Sequence, residues 1–277
     1  MTENILRELR DLRIAVDGII DRNEATEIQK DDEDAWRTAI SSVLSLPALR
    51  GFWPMSPVAY TSPQALDVSG NGNHLTRATT KFGYDATSTL LPVSYYDGAS
   101  RLFKADGGAG NWADVTGTEG YTLAAQRGLG IGTWVYFSSA IGGNEIFFSK
   151  RRAAAGNHSY WLRRTAAGNI EIIVSVDGTA TTTATSAATA ASNAWHYVHG
   201  WFDPSTALGI NLDGEETTNV AAIPASIFDG TADFTLGGFT GTANFTGYLS
   251  MAWLSAALPD SALRSALFQT ARAMVGV

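Results

Sequence analysis

Hydrophobic positions recur with two different periods along the chain, and the change between them falls near Leu49. Before it, Ile5, Leu9, Leu12, Val16 and Ile19 follow one another at spacings of 4, 3, 4 and 3. This is the a/d pattern of a coiled coil. Continuing the register puts Asn23 at an a position, where a buried amide fixes register and chain number at some cost in stability. The spacing predicts an oligomerisation or anchoring helix over residues 1–30, and with it a homo-oligomer, a trimer ahead of a dimer. Leu6, Ile14 and Ile20 widen the apolar stripe, so a helix packed on its own domain is the alternative. A second helix or linker is predicted over 31–48, with Asp31 or Asp32 as its cap, Trp36, Ile40, Val43 and Leu44 on one face, and Pro47 at its end.

From residue 49 to 277 the period drops towards two. Ile170, Ile172, Val174 and Val176 alternate with Glu171, Ile173 and Ser175, and Trp195, Tyr197, His199 and Trp201 with His196, Val198 and Phe202. Further strands are predicted at 51–60, 91–96, 129–137, 145–150, 158–164, 207–213, 233–238 and 244–255. Asp97-Gly98, Gly142-Gly143, Gly168-Asn169, Asp177-Gly178 and Asp213-Gly214 mark turns between them. Many short strands without intervening helices predict a mainly β fold, an antiparallel β-sandwich of jelly-roll type. The threonine-rich run 178–193 reads as an exposed strand pair, and Asp260-Ser261 as the cap of a short final helix.

Charge sharpens this division. Residues 1–37 hold 11 acids and 6 bases, −5 of a net −8 in a chain of 277 residues. The β-region is nearly neutral and rich in glycine and aromatic residues. An acidic balance argues against a nucleic-acid partner. The chain has no cysteine, which excludes disulfides, thiolate metal sites and a cysteine nucleophile. No apolar run approaches the roughly 20 residues of a membrane span, and the first residues lack the signature of a signal peptide.

Several segments resemble, in order, the laminin-G-like, concanavalin-A-like jelly roll. They are Leu49–Pro54 (LRGFWP), Asp67–His74 (DVSGNGNH), Tyr96-Asp97-Gly98, Gly132–Val135 (GTWV), Ala194–Val198 (AWHYV), Leu212-Asp213-Gly214, Phe245–Leu249 (FTGYL) and Ala257–Asp260 (ALPD). Tyr197 stands where the family commonly shows a second histidine. The resemblance implies a sandwich that often binds glycans or other ligands, without implying one activity.

Candidate chemistry is sparse. Asp67, Ser69 and Asn71 present alternate oxygen side chains around a glycine-rich turn, either a structural turn or a calcium site; no other cofactor is expected. His196 and His199, three apart on a strand, face opposite sides of a sheet, the wrong geometry for shared metal binding. No Glu-x-Asp pair of the kind glycosidases use occurs in the β-region, and Glu145 and Glu171 stand alone among apolar residues. No enzymatic activity is expected. Two loops suit a ligand. One carries Asp106, Asn111, Trp112 and Asp114; the other carries Arg151 and Arg152 with Tyr160 and Trp161 and is attractive to anionic glycans.

Together these features predict a non-enzymatic display protein: a phage-type virion fibre, head spike or decoration protein, made in a bacterial cytoplasm. Its N-terminal helices would hold a capsid or tail protein and its lectin-like head would meet host-surface glycan. The alternatives are a host-encoded carbohydrate-binding or adhesion protein at the cell surface and, further off, a glycoside hydrolase.

Overall fold

In a computed structural model, residues 30–54, 64–65, 67–77, 94–97, 103–105, 128–138, 140–152, 156–239, 242–243 and 245–275 are described. The coiled-coil positions Ile5, Leu9, Leu12, Val16, Ile19 and Asn23 lie outside them.

The described elements run in chain order as α1 (Lys30–Leu44), β1 (Leu49–Trp53), β2 (Gln64–Ala65), β3 (Leu75–Arg77), β4 (Ser94–Asp97), β5 (Phe103–Ala105), β6 (Leu129–Phe137), β7 (Glu145–Arg151) and β8 (His158–Arg164). They continue as β9 (Asn169–Ser175), β10 (Thr181–Thr189), β11 (Trp195–Asp203), β12 (Ala207–Leu212), β13 (Glu215–Asn219), β14 (Phe234–Leu236), β15 (Gly238–Phe239), β16 (Thr242–Ala243), β17 (Thr246–Ser255) and α2 (Ser261–Val275). The strands form two large antiparallel sheets and a separate two-stranded hairpin, β15-β16. The first has the order β1-β17-β6-β11-β12-β13, with β4 also on β17; the second runs β10-β9-β8-β7-β14-β5-β3-β2.

The period of two explains how they stack. On β6, Leu129, Ile131, Val135 and Phe137 face the second sheet, and on β8 and β9 Tyr160, Leu162, Ile170, Ile172 and Val174 face back. These side chains and their neighbours are removed from water and form the main core. The threonine-rich run forms one strand, β10, rather than a pair. It finds its partner in β9, already on the sheet, and the Asp177 turn brings it there.

The outer face of the first sheet carries a second apolar layer. Ala39, Ile40, Val43 and Leu46 of α1 and its following turn, with Leu267 and Phe268 of α2, pack with Phe52, Trp134, Tyr197, Met251 and Trp253. Asp260 caps α2, its Oδ1 accepting the Leu263 N–H at 2.8 Å. Arg264 then ties the helix down through Glu216, with Nε to Oε2 at 2.9 Å. The large rings need room. Trp253 lies opposite Gly132 in the pairing of β17 and β6, and a Cβ on Gly132 would stand 2.6 Å from the indole.

Candidate functional site

Strands β7, β8 and β9 carry the second sheet's outer face. Alternation on β8 sends Tyr160 and Leu162 inward and leaves Trp161 and Arg163 outward. Trp161 packs there with Ile146 and Ile173, while Phe239 of the β15-β16 hairpin leans on the same cluster. Arg151, at the end of β7, fills the gap between the two aromatic residues. Its guanidinium carbon sits 4.7 Å from the centre of the Trp161 ring and 4.8 Å from that of Phe239. A cation between two ring faces is held by both quadrupoles. His158 meets Trp161 edge-on at 5.6 Å.

The electrostatics of this cluster are one-sided. Arg163 is paired, with Nε 2.6 Å from Glu171 Oε2, and Glu171 Oε1 also accepts the Thr185 hydroxyl at 3.2 Å. Arg151 has no carboxylate partner among the described residues, and its Nε, the His158 Nδ1 and the Trp161 Nε1 are buried without hydrogen-bond partners. Burial, then the nearby Arg163 charge, lowers the pKa of Arg151 below the usual arginine range. Burial, then the Arg151 charge, holds His158 below the ordinary histidine value. The cluster thus sets a half-buried guanidinium, without a carboxylate partner among the described residues, beside two aromatic rings.

The sequence-predicted residues divide as follows. Arg151 and Trp161 come together; Arg152 is exposed at the end of the same strand region. Tyr160 is buried in the core between the sheets, on the opposite side of β8 from Trp161. Asp106, Asn111, Trp112 and Asp114 lie outside the described residues. Phe239 was not singled out from the sequence, because only the hairpin far along the chain brings it to Arg151.

The Asp67 turn is fully engaged with the backbone. Asp67 Oδ1 accepts N–H groups of Phe52 and Ser69 at 2.9 Å each, and Oδ2 accepts that of Asn73 at 2.8 Å. The Asn71 and Asn73 amides donate to the carbonyls of Leu49 and Arg50. His196 and His199 do face opposite ways. His196 Nδ1 lies 2.6 Å from Asp213 Oδ2, whereas His199 is fully buried beneath α2, 5.0 Å from the Trp253 ring centre.

The carboxylates near these sites are also committed. Arg164 Nε donates to Glu145 Oε2 at 2.7 Å within the sandwich, and Asp177 Oδ1 accepts N–H groups of Thr179 and Ala180.

The fold has many solved relatives. A botulinum neurotoxin serotype D ligand binding domain in complex with N-acetylneuraminic acid superposes with a TM-score of 0.60 at 10% identity, over 83% of this chain and 52% of that one. The receptor binding domain of a botulinum neurotoxin C/D mosaic serotype gives 0.59 at 9% identity, over 80% and 51%. A botulinum neurotoxin type C structure, whose cell entry is described as dependent on interaction with two ganglioside molecules, gives 0.58 at 9%, over 83% and 52%. At such identities the likeness is one of fold, and the chain spans about half the length of these structures. No curated protein matches the sequence. The family model for the concanavalin A-like lectin/glucanases superfamily matches residues 106–261, more than half of the chain. With its two antiparallel sheets and the motif order along them, the chain belongs to the concanavalin A-like lectin/glucanases superfamily.

Proposed function

We propose that this sandwich is a non-enzymatic, lectin-like head that binds an acidic sugar on the outer face of β7 and β8. The carrying observation is Arg151, stacked between Trp161 and Phe239 without a carboxylate partner among the described residues. An indole beside a guanidinium offers a sugar ring a stacking surface and its carboxylate or sulfate a charge-assisted hydrogen bond. The likeness in fold to a domain that binds N-acetylneuraminic acid is consistent with this ligand class. The non-enzymatic reading rests on the carboxylates: Glu145, Glu171 and Glu216 are each ion-paired, whereas glycoside cleavage needs two carboxyl groups free to face one cleft.

For the Asp67 turn we infer a structural role, because a bound calcium would have to displace three backbone donors. The setting we propose is a virion surface, with residues before α1 as the anchoring and oligomerising segment. A lectin-type fold whose sequence carries no cysteine is consistent with assembly in a reducing compartment. Mass spectrometry of purified particles, or a gene position among capsid and tail genes, tests that setting.

A glycan array tests the binding reading. Sialylated or sulfated glycans are expected to bind the full chain, with the signal falling as salt rises, and Arg151→Gln is expected to remove it. An array without acidic binders, or binding that survives Arg151→Gln, overturns the proposal.

A further inference from the structure

Three adjacent strands of the first sheet place one aromatic residue each at the same level. The pairing sets Tyr136 on β6 directly opposite Trp195 on β11 and Tyr248 on β17. The three rings meet: Tyr136 lies 5.7 Å from Trp195 and 5.6 Å from Tyr248, and Trp195 lies 6.4 Å from Tyr248. All three belong to the outer face, in line with Trp134 and Tyr197, yet they are only half buried. Trp134 and Tyr197 are buried with residues of both helices, whereas these three rings keep part of their surface exposed.

The next level along the same strands is polar. Ser138 and Thr246, two residues on from Tyr136 and two before Tyr248, stand opposite each other, with the Ser138 N–H donating to the Thr246 carbonyl at 3.0 Å. Asn193, in a left-handed conformation at the entry to β11, is exposed and donates its N–H to the Phe137 carbonyl at 2.8 Å. None of these six residues carries a charge.

We propose that this end of the first sheet is a second carbohydrate site, one for a neutral sugar: a ring stacks on the Tyr136–Trp195–Tyr248 surface and its hydroxyls meet the Ser138–Thr246–Asn193 edge. Apolar sugar faces suit aromatic rings, and hydroxyl and amide side chains both donate to and accept from sugar hydroxyls. A neutral ligand follows from these six uncharged residues and from Asp97, which the pairing of β4 with β17 sets opposite Thr246 and whose charge disfavours an anion, as an acidic ligand follows from Arg151 on the opposite side of the sandwich. The two sites are independent, and either stands if the other fails.

The test uses the full chain with cellohexaose, maltohexaose and chitohexaose as probes. At least one is expected to show saturation-transfer NMR and to shift the indole N–H resonance of Trp195 in the unsubstituted ¹⁵N-labelled protein; the Trp195→Phe spectrum assigns that resonance. Trp195→Ala is expected to weaken binding about tenfold or more, Trp195→Phe to retain most of it, and Arg151→Gln to leave it unchanged. Failure of all three sugars to bind, an unmoved Trp195 resonance, or unchanged affinity in Trp195→Ala overturns the proposal. The resonance shift needs no substitution in the titrated protein, so a poorly folded alanine variant does not blunt the test.

Discussion

The two outer faces of the sandwich start from the same alternation and end as opposite surfaces. On the first sheet, outward positions are aromatic rings laid over small neighbours, Trp253 over Gly132 and Trp201 over Gly209, and two helices cover most of them. On the second, the outward positions of β7 to β9 include Arg151, Arg163 and Glu171, and the charges stay at the water boundary. The period tells which side of a strand a residue takes; the partners on neighbouring strands decide whether that side can be sealed. Rings lying flat over glycine give helices a level surface, while a guanidinium between two rings keeps its charge near solvent.

The largest expected effect breaks the sealed face. Gly132→Ala forces a methyl group against the Trp253 indole, whose nearest ring atoms would stand 2.6 Å away. The ring has little room to move, being buried at 1% exposure among α1, α2 and β1. A loss of about 3 kcal/mol in urea unfolding is expected, at the upper end for overpacking. Gly143→Ala, in a turn of the β6–β7 connection with nothing within 4 Å of its Cβ position, is expected to change stability by less than about 0.5 kcal/mol. Equal effects would mean that the Trp–Gly pairing does not set the height of this face.

The second effect is a pH dependence that separates the faces. His199, fully buried against Trp253, has its pKa pushed down to about 3, by burial first and then by the Arg264 charge. The folded value lies below the unfolded one, so the unfolded chain takes up the proton first. The stability contributed by neutral His199 is therefore complete above the ordinary histidine range. It is lost as pH falls from there towards about 3, by about tenfold in the folding equilibrium per pH unit. His199→Phe is expected to flatten that slope in denaturant titrations at pH 7, 6, 5 and 4. His158 on the other face is shifted in the same direction but is half exposed, so His158→Phe should change the slope less. The reverse order would show that burial under α2 does not govern the titration.

Much of this fold was legible in the residues. The alternation of 170–176 and 195–202 placed β9 and β11, the Asp213-Gly214 pair marked the tight turn between β12 and β13, and Asp260 marked the cap of α2. Turn chemistry and period are local signals, so a single sequence carries them. What it did not carry was pairing at a distance. Nothing near Arg151 announces Phe239, and no local pattern puts Tyr136, Trp195 and Tyr248 side by side, because only strand order and register do so. The threonine-rich run reads as a pair but forms one strand for the same reason: its partner, β9, precedes it in a different pattern. Tyr160 and Trp161, neighbours in sequence, read as one site, but the pleat sends them to opposite sides.

The smallest expected change in stability sharpens the charged face. Glu171→Gln removes the partner of Arg163, a pair whose side chains are 28% and 13% exposed, so unfolding should lose no more than about 1 kcal/mol. The amide still accepts from the Thr185 hydroxyl, which keeps β9 and β10 joined at that point. The consequence for binding runs the other way. Arg163 already acts on Arg151 as a like charge, and without Glu171 its charge is no longer neutralised, so the potential around the Arg151 guanidinium becomes more positive. An acidic glycan should then bind several-fold more tightly at low salt, with the gain fading as the Debye length shortens. Neutral-sugar binding on the opposite face should not respond. Weaker acidic binding in Glu171→Gln would show that the ligand needs the Arg163–Glu171 pair intact, and that the anion does not sit where Arg151 places it.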